Sequence, residues 1–218
     1  MSRDVTPQAR GLLTLARLTT RLKGVPRTGW LDRGMPPRDV ESVADHSLGV
    51  AILAWSCAVE RRAQGAELDP ARVALLALIH DLPEAETGDV PPYDLAALSA
   101  GRDAEERRAF LDRRHVRDDA AAAAKRVNED AAMRDLLDFL PQSVQSDLES
   151  LWAELRQCTS AEARFVKQVD RLETFLQSRA YLERTPDAPM DSFRREVLET
   201  IDDPLLAAIR DAALSSDT

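Results

Sequence analysis

Glycine, cysteine, histidine and aromatic residues are all scarce in this sequence, and each scarcity narrows what the chain can be. Eight glycines are few for a turn-rich β architecture or a glycine-rich phosphate loop. The two cysteines, Cys57 and Cys158, form no C-x-x-C pair. Neither a zinc ribbon nor a disulfide framework is supported, and both read as small buried hydrophobes in a reducing cytoplasm. Aromatic residues make up 5% of the chain, so aliphatic side chains and alanine must fill the core. No apolar run approaches the roughly 18 residues that span a bilayer. The start MSRDVTPQAR lacks the apolar stretch of a leader. No membrane partner and a cytoplasmic location are expected.

Positive charge is also in deficit: Lys+Arg is 29 against 38 for Asp+Glu, a net charge of −9. That balance is unsuited to gripping polymeric nucleic acid along its backbone. A small anionic ligand remains admissible, because a pocket can be locally positive, above all around a metal ion. Histidines number three, His46, His80 and His115. Any metal site must therefore rest mainly on carboxylates, with one to three imidazoles.

What is present reads as helix throughout, so the fold class expected is all-α, in a single domain over residues 1–218. Thr6-Pro7 is a helix start, followed by Leu12, Leu15, Leu18 and Leu22 near helical spacing. Gly24 and Pro26 end that helix, and residues 24–41 read as irregular. Ser42, with Asp45 three residues on, opens a second helix to about Arg62. Asp69-Pro70 starts a third, ARVALLALIHD, apolar all round and expected to be central. Residues 94–124 are charged and alanine-rich and read as an exposed helical excursion carrying His115, which is expected to be exposed and without a role. Helices resume over residues 130–139, 143–156 and 162–181, the last with Thr159 and Glu162 as its capping box. A final pair falls within residues 190–214.

Four polar residues stand out against this apolar background. His80 and Asp81 end the third helix. Asp170 is embedded in ARFVKQVDRLETFL, and His46 lies in the first turn of the second helix. A buried carboxylate is costly without a partner. For Asp170 the alternative is an ion pair with Lys167 or Arg171, and for His80-Asp81 a satisfied histidine and a helix-ending aspartate. For His46 a purely electrostatic role at a helix start fits badly, since a cation is unfavourable there, whereas a neutral ligating imidazole is not. Two imidazoles and two carboxylates suit one divalent ion, Mn²⁺, Co²⁺, Mg²⁺, Fe²⁺ or Zn²⁺, and leave open positions for catalysis. Glu84, Glu86 and Asp89 crowd the exit from the third helix.

The ordered segments VPRTGW (25–30), ESVADH, HDLPEAETGD and KQVD resemble the HD-domain metal-dependent phosphohydrolases. They resemble most the small 5′-deoxynucleotidase branch, across residues 8–93 and 125–183. The resemblance implies an HD-domain helical bundle with a helical insertion around 94–124. It implies His46, His80, Asp81 and Asp170 as metal ligands, Glu84 as a catalytic acid/base beside Asp81, and Asp89 near the nucleotide's sugar. Arg27 and Trp30 would hold phosphate and sugar, with Lys167 a further cation at the pocket. The expected reaction is hydrolysis of deoxyribonucleoside 5′-monophosphates to deoxynucleoside and phosphate, by a homodimer as in related proteins. Two alternatives stand beside it: an HD phosphohydrolase of nucleoside triphosphates or other small phosphate esters, and a non-catalytic HD binding module. The chain departs from its branch in the longer 92–124 stretch and in Pro83 within HDxxE. With only His115 between His80 and Asp170, one metal is expected, not two.

Overall fold

The computed structural model describes residues 5–215. Residues 1–4, the first part of the stretch read as lacking a leader, and residues 216–218 lie outside the described residues. Among those described there is no β-strand, only an isolated bridge between Pro26 and Ser42. No described helix is long and apolar enough to cross a membrane.

The core is built on three helices, α3 (Val43–Ala63), α4 (Pro70–Ile79) and α10 (Ala161–Arg184). Val50, Ala54, Val73, Leu76, Val169, Leu172 and Phe175 meet there fully buried. Small residues, Ala51, Ala54, Ala58, Ala77 and Ala163, let the backbones approach. They do the work that the missing aromatics would do elsewhere. Burial of a side chain such as Leu172 or Phe175 is worth about 1.5–3 kcal/mol. α11 (Asp191–Thr200) and α12 (Pro204–Ser215) pack on α10 and close this side. A second cluster joins α1 (Pro7–Leu22) to α8 (Asp119–Leu137) and α9 (Gln142–Gln157) through Leu18, Leu22, Leu136 and Trp152.

Several local expectations hold and several change. Thr6 and Asp69 cap their helices, and Ser42 with Asp45 forms the capping box. The cap before α10 is Ser160, not Thr159: its hydroxyl accepts from Ala163 N, while Glu162 accepts from Asp69 N across the interface. The stretch read as irregular contains α2 (Thr28–Asp32), anchored by Trp30, which is 1% exposed. α4 is not buried all round, since Leu75 and Leu78 are exposed.

The 94–124 excursion is docked, not free. α6 (Leu95–Ser99) and α7 (Ala104–Leu111) bury Leu98, Phe110 and Leu111 against Tyr93. The following helix, α8, starts at Asp119 and runs without a break into the segment expected to begin at 130. His115 is half-buried, edge-on to Tyr93 and tilted against Phe110, with Nε2 2.7 Å from the Phe110 carbonyl. Its role is to fasten this segment. Alternation of charge and alanine hid the few apolar anchors from the sequence pattern.

Candidate metal centre

Three helices aim side chains at one point. His46 comes from the first turn of α3, His80 and Asp81 from the end of α4, and Asp170 from the middle of α10. His46 Nε2 is 3.1 Å from Asp170 Oδ1 and 3.7 Å from Asp81 Oδ2. His80 Nε2 is 3.1 Å from Asp81 Oδ2 and 3.9 Å from Asp170 Oδ1. Ligand atoms of His46, His80 and Asp170 all lie within 4.8 Å of one another. All four expected ligands are thus brought together.

The donor set fits a cation by a specific observation. His80 Nδ1 lies 2.7 Å from the Ala77 carbonyl, which makes that nitrogen the donor, so that in the neutral ring the lone pair is on Nε2. Nε2 is buried and finds no hydrogen-bond partner, although Asp81 Oδ2 lies 3.1 Å away. An orphaned buried nitrogen among carboxylates fits a divalent cation, whose charge and valence such a donor set would satisfy. The ring of His46 is oriented from behind, with Nδ1 2.6 Å from Glu173 Oε2. Asp170, Glu173 and Thr174 share one face of α10 at three- and four-residue spacing.

Electrostatics reinforce this geometry. Burial opposes ionisation of Asp81, yet His80, His46 and Arg27 hold its carboxyl well below the usual range. Burial also opposes Asp170 ionisation, and the hydrogen bond to His46 and the charge of His80 outweigh it. Burial and Arg27 work against a proton on His46, but Asp170 and Glu173 raise it to about 10. Burial pushes Glu84 up to about 8, with Asp81 adding to the effect and Lys125 opposing it.

Arg27 is placed by backbone pairing. Its N–H donates to Glu41 O, and Val43 N–H donates to Val25 O, so the residue lies beside the start of α3. Its guanidinium is 3.5 Å from Asp81 Oδ2, 3.7 Å from Asp89 Oδ1 and 3.3 Å from Thr174 Oγ1. Gly88, at φ 73, provides a turn open to glycine that returns Asp89 to α2. There Asp89 Oδ2 accepts from Thr28 N at 2.6 Å. Trp30 lines the pocket but is packed against Tyr181 and Phe193, with its indole N–H given to Glu41. Lys167 is an exposed lining residue, and no ion pair joins it to Asp170 among the described residues. Arg171 pairs instead with Glu196 at 3.6 Å.

The cluster opens into a cavity of about 630 Å³, within the range of about 300–1,000 Å³ usual for small-molecule sites. One wall is the 113–126 stretch, including Arg113, Arg117, Lys125 and Arg126. Sequence reasoning missed Glu173, Thr174 and Lys125. The first two could have been found from helical spacing to Asp170. Nothing in the sequence linked Lys125 to Glu84.

A helical core presenting two imidazoles and two carboxylates to one cleft is a donor set of the kind that metal-dependent enzymes use. The sequence pattern described as HD domain matches residues 19–209, and the chain belongs to that family. It is 35% identical over 187 residues to the 5′-deoxynucleotidase HDDC2 of Bos taurus, covering 85% of this chain and 76% of that protein. The Homo sapiens protein of the same name is 34% identical over 187 residues, with the same coverage. A conserved hypothetical protein from Pyrococcus furiosus shares the fold at a TM-score of 0.65 and 26% identity, covering 93% of this chain and 99% of its own.

Proposed function

We propose that this HD-domain enzyme hydrolyses deoxyribonucleoside 5′-monophosphates to deoxynucleoside and phosphate. The observation that carries the reading is the orphaned His80 Nε2, facing His46, Asp81 and Asp170 at the base of the cavity. The similarity to curated 5′-deoxynucleotidases supports it. His46, His80, Asp81 and Asp170 would hold one divalent ion. When bound, such an ion supplies Lewis acidity toward the phosphate and the attacking water.

The chain's own groups do the rest. Arg27 stays cationic, because Asp89, Asp81 and Asp170 outweigh the burial that disfavours its charge. It offers guanidinium donors to the phosphate. Glu84 is the acid/base, giving a proton to the leaving 5′ oxygen or orienting the water. Asp89 holds Thr28 with Oδ2, while Oδ1, 3.7 Å from the Arg27 guanidinium, is the oxygen that would meet the sugar. Trp30 forms the floor behind Arg27, and Lys167 meets the ligand at the rim. Core, insertion and terminal helices act as one domain.

The reading further places the protein in the cytoplasm, supported by two free thiols. It also holds that two copies associate. Leu48, Ile52, Trp55 and Val59 form an exposed stripe on the outer face of α3, suited to a second copy. Sedimentation of wild type against Trp55→Glu tests this, a dimer that becomes monomeric being expected.

A second reading, hydrolysis of nucleotides with more phosphates, is favoured by one observation. Arg113, Arg126 and Lys167 line the cavity and make no ion pair among the described residues. The deciding experiment is product analysis from ribo- and deoxyribonucleoside mono- and triphosphates with Mn²⁺, Co²⁺ or Mg²⁺, for wild type and Asp81→Ala. Phosphate from deoxynucleoside monophosphates, lost in Asp81→Ala, is expected. Triphosphate release favours the second reading. Equal cleavage of ribonucleotides, or full activity in Asp81→Ala, defeats the first. No hydrolysis at all would leave a binding module.

A further inference from the structure

We propose that Lys125, on α8 just beyond the docked insertion, is a positioning residue that fixes Glu84 so that one carboxylate oxygen, Oε2, is presented for proton transfer. This rests on the reading of Glu84 as the acid/base.

Glu84 is 2% exposed and begins α5 (Glu84–Thr87). Its Oε1 accepts from Lys125 Nζ at 2.9 Å. Its Oε2 is buried and has no hydrogen-bond partner. The two oxygens of one carboxylate are therefore inequivalent: one is tied, the other idle. A pair that served stability alone would be expected to satisfy both, since an orphaned buried acceptor costs free energy and needs a reason. A buried ion pair is in any case weak support for a fold. An acid/base group, in contrast, needs one oxygen kept clear for the substrate.

Lys125 is itself held in place. Its Nζ is 2.7 Å from Glu129 Oε1, one turn along α8. Glu129 Oε2 is 3.1 Å from Arg156 Nη1 on α9. Nζ is thus pinned between two carboxylates, and the second is pinned by an arginine. The row Arg156–Glu129–Lys125–Glu84 crosses from α9 through α8 to α5 and ends at the cavity, which all four residues line. A flexible lysine so braced loses the freedom that makes most lysines poor positioning groups. The segment read from sequence as an excursion thereby supplies part of a wall of the site, and α8, which continues from it, supplies the brace of its acid/base.

The test is a double-mutant cycle on the metal-loaded enzyme with a deoxynucleoside monophosphate. It compares wild type, Lys125→Met, Glu84→Gln and the double variant, with Lys125→Arg as the conservative control. Glu84→Gln is expected to lower kcat by about 10²–10⁴-fold. Lys125→Met is expected to lower kcat about tenfold with KM little changed, and Lys125→Arg to restore most of it. The double variant should match Glu84→Gln within about twofold, because Lys125 acts only through Glu84. Thermal melts and bound-metal content verify that each variant is folded and loaded. If Lys125→Met unfolds the chain, Lys125→Gln takes its place in the cycle. Wild-type kcat in Lys125→Met, or losses that multiply in the double variant, overturn the proposal while leaving Glu84 in its role. Wild-type kcat in Glu84→Gln overturns the reading of Glu84 itself.

Discussion

The Nδ1 of His46 lies 2.6 Å from Oε2 of Glu173, so the ring is held by a carboxylate on the side away from the cluster. A carboxylate behind a ligating imidazole fixes its tautomer and orientation and strengthens its donor nitrogen, an effect worth about 10–100-fold in metal affinity when removed. Glu173→Ala should weaken divalent-ion binding by about that factor in calorimetric titration. Glu173→Gln, which can still accept from Nδ1–H, should weaken it less. Equal affinity in wild type and Glu173→Ala would contradict the arrangement.

Gly49 extends the same relationship. A Cβ at this position would lie 2.5 Å from Glu173 Oε1. By helix propensity alone, Gly49→Ala in the interior of α3 should stabilise the chain by about 1 kcal/mol. The expected outcome is that this gain is cancelled: pushing Glu173 off the buried His46 leaves Nδ1–H unpaired at a cost of about 1–3 kcal/mol, so the melting temperature does not rise, while ion affinity and kcat fall. Melts and titration on one preparation of Gly49→Ala check it, and an unchanged ion affinity would count against it.

Arg27 is held by Asp81, Asp89 and Thr174, so its guanidinium is oriented before any ligand arrives. Hydrogen bonds to charged groups are worth about 1.5–3 kcal/mol. Arg27→Met should therefore raise KM by about 10- to 150-fold. Arg27→Lys should recover only part of this, because an ammonium lacks the planar fork. Steady-state kinetics on both variants give the answer, and a KM within twofold of wild type in Arg27→Met would remove Arg27 from phosphate binding.

The thiols separate by burial. Cys57 is buried, and burial, helped by Asp203, pushes its pKa up to about 11. Thiolate is the reactive form, so at pH 8 only about one Cys57 in a thousand is ionised. A disulfide-exchange reagent at pH 8 should label one thiol per native chain quickly, the half-buried Cys158. The second should react only on unfolding, or faster as the pH climbs toward 11. Cys158→Ser should abolish the fast phase, and two fast thiols in wild type would refute the assignment.

The fold was legible where local chemistry and helical period agree. Thr6-Pro7, Ser42 with Asp45, and Asp69-Pro70 mark helix starts by hydrogen bonds made within a few residues. The polar cluster of His46, His80, Asp81 and Asp170 was legible because polar side chains in apolar helices need partners. What stayed hidden depends on contacts distant in sequence. Ser160, not Thr159, caps α10, and Glu162 accepts from Asp69 N, far away in sequence, instead of closing a capping box. The 94–124 segment looks solvent-facing by composition, but a handful of side chains, Leu98, Phe110 and Leu111, tie it to Tyr93. Lys125 could not be distinguished from any surface lysine until α8 was laid against α5.

The ligand cluster draws on α3, α4 and α10, the same three helices whose interlocking makes the main core. The unfolded chain holds no such cluster, so a bound ion and the folded state share one equilibrium. Free ion at a hundred times its dissociation constant adds about 2.7 kcal/mol to the folded state. That is a sizeable part of the about 5–15 kcal/mol by which a typical domain stays folded. Metal supply would then govern the lifetime of the protein as well as its turnover. A metal-starved cell would clear idle copies by proteolysis of opened chains, without any dedicated regulator.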